Sequence, residues 1–253
     1  MSMSKPVRII IGLIVIALIV AAAAFAYIYF SGGSGEASEA ITAPTLAPQS
    51  EATVEATAAA GSDTTSAETS SANEVLFAIV PEESEVRFGL NELLRGQPTR
   101  VIGRTDQIAG QIRVDFTNPA QSQVGIIRIN VRTMVTDQEM RNRAIRSQIL
   151  QSAQDEFEFS QFEPTSIDGM PDSITIGEPF TFSMTGNLTV RDITNPVTFS
   201  VTVTPVSETE ITGNATAQVM RGDYNLVIPN VPSVADVSEE VDLEIDFTAR
   251  AVE

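Results

Sequence analysis

The chain has 253 residues, a formal charge of −18, and no Cys, His or Trp. Those absences exclude disulfides, thiolate and histidine catalysis, and the common zinc, copper and haem ligand sets, leaving carboxylate–oxygen sites for calcium or magnesium. The acidic balance lacks the basic footprint that nucleic-acid binding needs.

Residues 1–8 form a short cytoplasmic N-terminus with Lys5 and Arg8, and 22 uncharged residues follow at 9–30. At about 1.5 Å per residue that run crosses a bilayer core of ~30 Å. The basic flank predicts a single-pass transmembrane anchor in the cell membrane, with the rest of the chain on the extracytoplasmic side. A cleaved signal peptide is the alternative, because Ala24-Phe25-Ala26 fits a cleavage site. The apolar Tyr27-Ile28-Tyr29-Phe30 beyond it favours the anchor. Either way the protein is exported.

Residues 31–75 are rich in Ser, Thr, Ala, Gly, Glu and Pro and have almost no bulky apolar side chain. Such a segment buries no core, so a disordered linker is expected, reaching roughly 35–40 Å as a coil. Residues 76–253 form one domain, still acidic, with 26 acids against 13 arginines.

Strand signals dominate that domain. In chain order they fall at 76–80, 84–93, 101–105, 108–116 and 124–134, then at 157–167, 180–191, 196–204, 209–221 and 241–250. Alternation is regular: Ile112, Val114 and Phe116 oppose Gln111, Arg113 and Asp115, and Leu243, Ile245 and Phe247 oppose Asp242, Glu244 and Asp246. Strands with one apolar and one polar face predict an all-β, antiparallel, water-soluble barrel or sandwich. One segment differs. Thr136-Asp137-Gln138-Glu139 has capping-box spacing, with Met140, Ala144, Ile145 and Ile149 at helical intervals, so one short helix is expected over 137–151. Residues 192–196 (Asp-Ile-Thr-Asn-Pro) read as a turn between two strands.

Four segments together carry a resemblance: "FAIVPEESEVRF", "IAGQIRVDFTNPAQS", "INVRTMVTDQEMRNRAIRSQIL" and "GNLTVRDITNPVTF". In order and spacing they resemble the YceI-like family of exported bacterial lipid-binding proteins, across nearly all of 76–253. The resemblance implies an extended antiparallel lipocalin-like β-barrel of about eight strands with one helix. It also implies an apolar interior that binds a long amphiphile, a polyisoprenoid or a quinone type. Two positions depart from the family pattern: Asn142 follows Arg141 with no histidine near it, and Asn225 stands where the family has glycine after Arg221-Gly222-Asp223-Tyr224.

With that fold, the candidate ligand-binding residues are Phe88, Leu90, Phe116, Ile129, Val131, Arg141, Phe182, Met184, Phe199, Val201, Tyr224 and Phe247. Each of the apolar ones is equally at home as ordinary core. Arg141, with Arg128, Arg132, Arg143 and Arg146, has the chemistry to meet an anionic head, the alternative being a helix face paired with nearby acids. No catalytic residue, metal site or cofactor is expected. Lys5 precedes the apolar run, and no carboxylate spacing singles out an acid–base pair. The partners expected are an amphiphilic lipid and the membrane, with no nucleic acid; a homodimer stays open. The competing reading is a cell-surface β-domain with a filled core that acts as a protein-interaction module. A third, an enzyme using carboxylates on such lipids, ranks below both.

Overall fold

The protein is described by a computed structural model, which covers residues 41–46 and 74–252. The anchor expected at 9–30 and most of the linker expected at 31–75 lie outside the described residues. Among the described residues, thirteen antiparallel strands form one sheet. They are β1 (Glu74–Ile79), β2 (Glu85–Leu94), β3 (Gln97–Thr105), β4 (Ile108–Ala109), β5 (Gln111–Asp115), β6 (Gln123–Val124) and β7 (Ile127–Asn130), then β8 (Phe159–Asp168), β9 (Phe180–Val190), β10 (Ile193–Pro205), β11 (Glu210–Met220), β12 (Val234–Ala235) and β13 (Glu240–Ala251). Their order is β4-β7-β8-β9-β10-β11-β13-β1-β5-β6, with β2 joining β13, β12 and β3. One end of β13 pairs with β2 (Asp242↔Gly89 to Asp246↔Glu85) and the other with β1 (Ala249↔Ile79 to Ala251↔Phe77). The sheet thereby curls into an antiparallel half-barrel.

The alternation read from the sequence sets which face turns inward. On β10, Val197, Phe199, Val201 and Val203 are buried while Thr198, Ser200 and Thr202 are exposed. The wet side of the β9–β10 hairpin is tied by threonine hydroxyl pairs: Thr181–Thr202 at 2.9 Å, Thr185–Thr198 at 2.9 Å and Thr189–Thr194 at 2.8 Å. Hydroxyl pairs of this kind each add a few tenths of a kcal/mol up to ~1 kcal/mol.

Three local expectations change. Residues 193–196 belong to β10, where Thr194 pairs with Thr189, Asn195 with Leu188 and Pro196 with Asn187. The turn is only Arg191-Asp192, with Arg191 in the left-handed region at φ 58°. Proline is tolerated there because β11 begins pairing with β10 only at Ser200, leaving Pro196 on a free strand edge. Likewise β3 starts at Gln97, not near residue 101, because Arg95 (φ 52°) and Gly96 (φ 77°) make a two-residue hairpin.

The helix is also shorter than expected. α1 spans Glu139–Ala144 and opens into a π turn over Ile145–Ile149, where the Leu150 N–H donates to the Ile145 carbonyl at 2.8 Å. The capping box does not form. The buried Asn142 amide oxygen instead accepts both the N–H and the hydroxyl of Thr136, each at 2.7 Å, and its Nδ2 donates to Glu139 at 3.2 Å.

Residues 41–46, inside the expected linker, lie against the sheet. The Leu46 N–H donates to Gln111 Oε1 at 2.8 Å, and Arg128 donates to the Thr42 carbonyl at 3.3 Å. A Cβ on Gly125 would sit 3.0 Å from Leu46 Cγ, so the bare glycine makes the seat for that leucine.

Candidate functional site

The concave face of the half-barrel is not filled. A cavity of about 730 Å³ lies between β2, β7, β9, β10, β11 and β13, roofed by α1 with its π turn and by the segment 226–237. Its volume is within the range of pockets that enclose a small molecule. The roof contributes Ile145, Ile149 and Leu150 from one side and Leu226, Ile228 and Val231 from the other. Apolar side chains also stand exposed around it, Met140 at 73% and Val227 at 72%. A second, wholly apolar cavity of about 80 Å³ lies deeper in the sheet.

The candidate residues divide between the two. Phe88, Leu90, Ile129, Val131, Arg141, Phe199 and Tyr224 line the large cavity. Phe116, Phe182, Val201 and Phe247 line the small one, and Met184 faces both. Val131 sits in a 3-10 turn (Val131–Thr133) rather than in a strand.

The five arginines do not converge on one anion site. Arg141 is held by Glu92 at 2.8 Å and by Asp137. Arg143 and Arg146 both approach Glu139, at 3.6 and 3.4 Å. Arg128 lies 4.5 Å from the centre of the Phe159 ring, and Arg132 is buried beneath the roof, 3.3 Å from Glu158. Arg132, Arg141, Arg143 and Arg146 each face a carboxylate, whereas Arg128 meets a ring and the Thr42 carbonyl.

Glu92 was missed by the sequence reading. It is 7% exposed and occupies the inward parity of β2, in the series Val86, Phe88, Leu90, Glu92, Leu94. A single acid in an apolar register is a legible signal, because a buried carboxylate needs a partner, here Arg141. The segment 226–237 was also missed, since it carries no period of helix or strand. Its one usable sign was an uncharged apolar stretch, Leu226-Val227-Ile228-Pro229, beside a cavity-forming sheet.

Tyr224 closes one end. It is 2% exposed, held in the 3-10 turn Arg221–Tyr224, and its hydroxyl has no hydrogen bond of normal geometry. The neighbouring Asn195 amide gives its Nδ2 to the Asp223 carbonyl at 2.9 Å. Burial first, and the charge of Asp223 second, push the phenol up to about 12, with Asn195 drawing it back in part. A raised folded value means the un-ionised phenol stabilises the fold fully below pH ~10 and less as pH climbs past it. In an alkaline titration of phenolate absorbance, a step near pH ~12 is expected, and Tyr224→Phe should remove it.

On the outer face, charge is locally balanced. Arg87 binds Glu244 (2.8 Å), Glu85 (2.6 Å) and Asp246, which raise its pKa. Burial works to lift the Asp246 carboxyl, yet the Asn214 amide and Arg87 outweigh it and hold it below the usual value. Among the described residues no cluster of three or more acids is placed to hold a metal ion.

Comparison with known proteins agrees with this geometry. The YceI-like domain matches residues 77–249. A polyisoprenoid-binding domain from Saccharophagus degradans, implicated in plant cell wall breakdown, superposes with a TM-score of 0.55 at 14% identity, over 70% of this chain and 99% of that one. BcnA of Burkholderia cenocepacia superposes at 0.52 with 18% identity, over 67% and 98%. At such identities the likeness is one of fold. No curated protein sequence matches the chain.

Proposed function

The chain belongs to the YceI-like family, and from that premise we propose that it binds a long-chain amphiphile of polyisoprenoid or quinone type in the large cavity. The half-barrel and its roof together take the part of a closed lipocalin-like barrel. The observation that carries the reading is the cavity itself: about 730 Å³, with a wall that is mainly aliphatic and aromatic. The named polyisoprenoid-binding relative supports the same ligand class.

The energetics favour a tail-driven site. Each buried methylene contributes about 0.8 kcal/mol, so ten buried tail carbons outweigh one charge-assisted hydrogen bond of about 1.5–3 kcal/mol several-fold. The head then has only to be tolerated at the cavity rim, where Glu92 and Arg141 already neutralise one another. The Tyr224 hydroxyl, buried in the cavity wall without a hydrogen bond of normal geometry, is one polar group that a ligand oxygen can meet. We place the domain outside the cytoplasm, tethered by the apolar run at 9–30, on the strength of that run and its basic flank. Binding rather than catalysis is the role, since the cavity wall is apolar and His and Cys are absent.

The test is to purify the full chain from membranes in mild detergent, then apply native mass spectrometry and solvent extraction. A stoichiometric polyprenyl or quinone lipid is the expected result. A lipid-free protein that also refuses added ubiquinone and polyprenols would overturn the proposal and leave the interaction-module reading in its place.

A further inference from the structure

The two cavities are stacked, and one layer of side chains separates them. Ile127 of β7, Met184 of β9, Ala215 of β11 and Ile245 of β13 belong to the walls of both. The layer runs obliquely across the pairing rows of the sheet, since Ile127 pairs with Phe162 in a separate row. Ala215 pairs with Ile245 on one side and with Val201 on the other, while Met184 pairs with Phe199. On β10, Phe199 therefore faces the upper cavity and Val201 the lower one.

The lower chamber, about 80 Å³, has no polar group exposed within it. A space of that character stays dry and is available to apolar atoms. The layer above it has a rigid part and a movable part. Ile127 and Ile245 are β-branched and restricted at χ1, whereas Met184 is unbranched, with three rotatable bonds. Ala215 is the smallest member, and a larger side chain there would project into the same space.

We infer that this layer is the floor of the ligand site and that Met184, with Ala215, sets the longest chain the protein accepts. The tail of the ligand ends against the thioether, and the chamber below is reserve length closed off by it. The inference rests on the amphiphile reading above and adds the residue that determines specificity within it. An apolar pocket distinguishes a difference of one methylene by roughly tenfold or more, so a floor that moves by one side chain changes which chain is preferred.

The experiment uses the full chain in mild detergent, offered an equimolar mixture of farnesol, geranylgeraniol, geranylfarnesol and hexaprenol, which differ by one isoprene unit each, with bound species read by native mass spectrometry. The native protein should show a length beyond which retention falls sharply. Met184→Ala, or the milder Met184→Val, should raise retention of the first alcohol beyond that limit by roughly tenfold. Ala215→Leu should shift the limit to a shorter alcohol. Phe182→Leu, which alters only the lower chamber, should leave the native limit in place and lengthen it further once combined with Met184→Val. If Met184→Val and Ala215→Leu keep a native thermal transition and the native length profile, the floor assignment is wrong. If the native protein retains none of the four alcohols, the amphiphile reading itself fails, and the floor with it.

Discussion

Alanine at Arg132 is expected to lower the stability of the domain by about 3–5 kcal/mol. Its side chain is 5% exposed, and its guanidinium donates to the Ser152 carbonyl (2.6 Å) and to Asp155 (2.8 Å) while lying 3.3 Å from Glu158. Glu158 is equally buried and also accepts from Asn130 at 2.8 Å. Removing the cation takes the charge partner from a carboxylate that is itself buried. The exposed Asp155, at 96%, contributes little to the sum, since water screens it. Urea denaturation reads the loss as a fall in midpoint at unchanged slope. Glu158→Gln in the same chain should recover part of it, because the stranded charge is then gone. A functional readout comes with it. The segment fastened by Arg132 follows directly on the π turn that roofs the cavity, so hydrogen exchange over 145–158 should rise in Arg132→Ala.

Phe162→Ala should cost a similar amount, about 3–5 kcal/mol. The ring is 3% exposed and meets Phe199 edge-on, with centroids 4.9 Å apart and planes at 75°. It also lies across Gly186 of β9, where an added Cβ would fall 2.6 Å from Phe162 Cζ and 2.4 Å from the Glu163 carbonyl oxygen. Gly186 opens the segment "GNLTVR", and this close approach is the physical reason for glycine there. Neither neighbour can collapse into the vacated space, since one is bare backbone and the other a ring already packed. A thermal midpoint lowered by about 6–20 °C is the expected reading for a domain of this size. Phe162→Leu, which keeps most of the volume, should fall by less.

Much of the fold could be read from alternation alone. The parity of Val197, Phe199, Val201 and Val203 gave their burial, and the ladder Leu243, Ile245, Phe247 faces the same interior. Parity, however, reports the side of a sheet and says nothing of height along it. Phe199 and Val201 are both inward and two residues apart, yet they open onto different cavities, because strand register and the curl of the sheet decide level. Phe116, Phe182 and Phe247 were grouped with the large cavity for the same reason and lie below its floor. The roof was harder still. Its helical half was legible in the spacing of Ala144, Ile145 and Ile149, but the π turn over Ile145–Ile149 leaves no mark in that spacing. Residues 226–237 have no period to read, and their one short strand, β12, is fixed by pairing with β2.

If the domain is tethered through the apolar run, the seat that Gly125 provides for Leu46 changes the reach of that tether. Measured to the first strand, residues 31–73 would allow a chain of up to ~155 Å between the end of the apolar run and the sheet, at about 3.6 Å per residue. With residues 41–46 fastened to the outer surface beside β5 and β7, the free line shortens to residues 31–40, which can pay out no more than ~36 Å in any conformation. Under the tethered reading, the domain then works within about one domain's breadth of the bilayer, with its berth fixed on one side. The seat at Gly125 and the two hydrogen bonds with Gln111 and Arg128 together would set the length of that line.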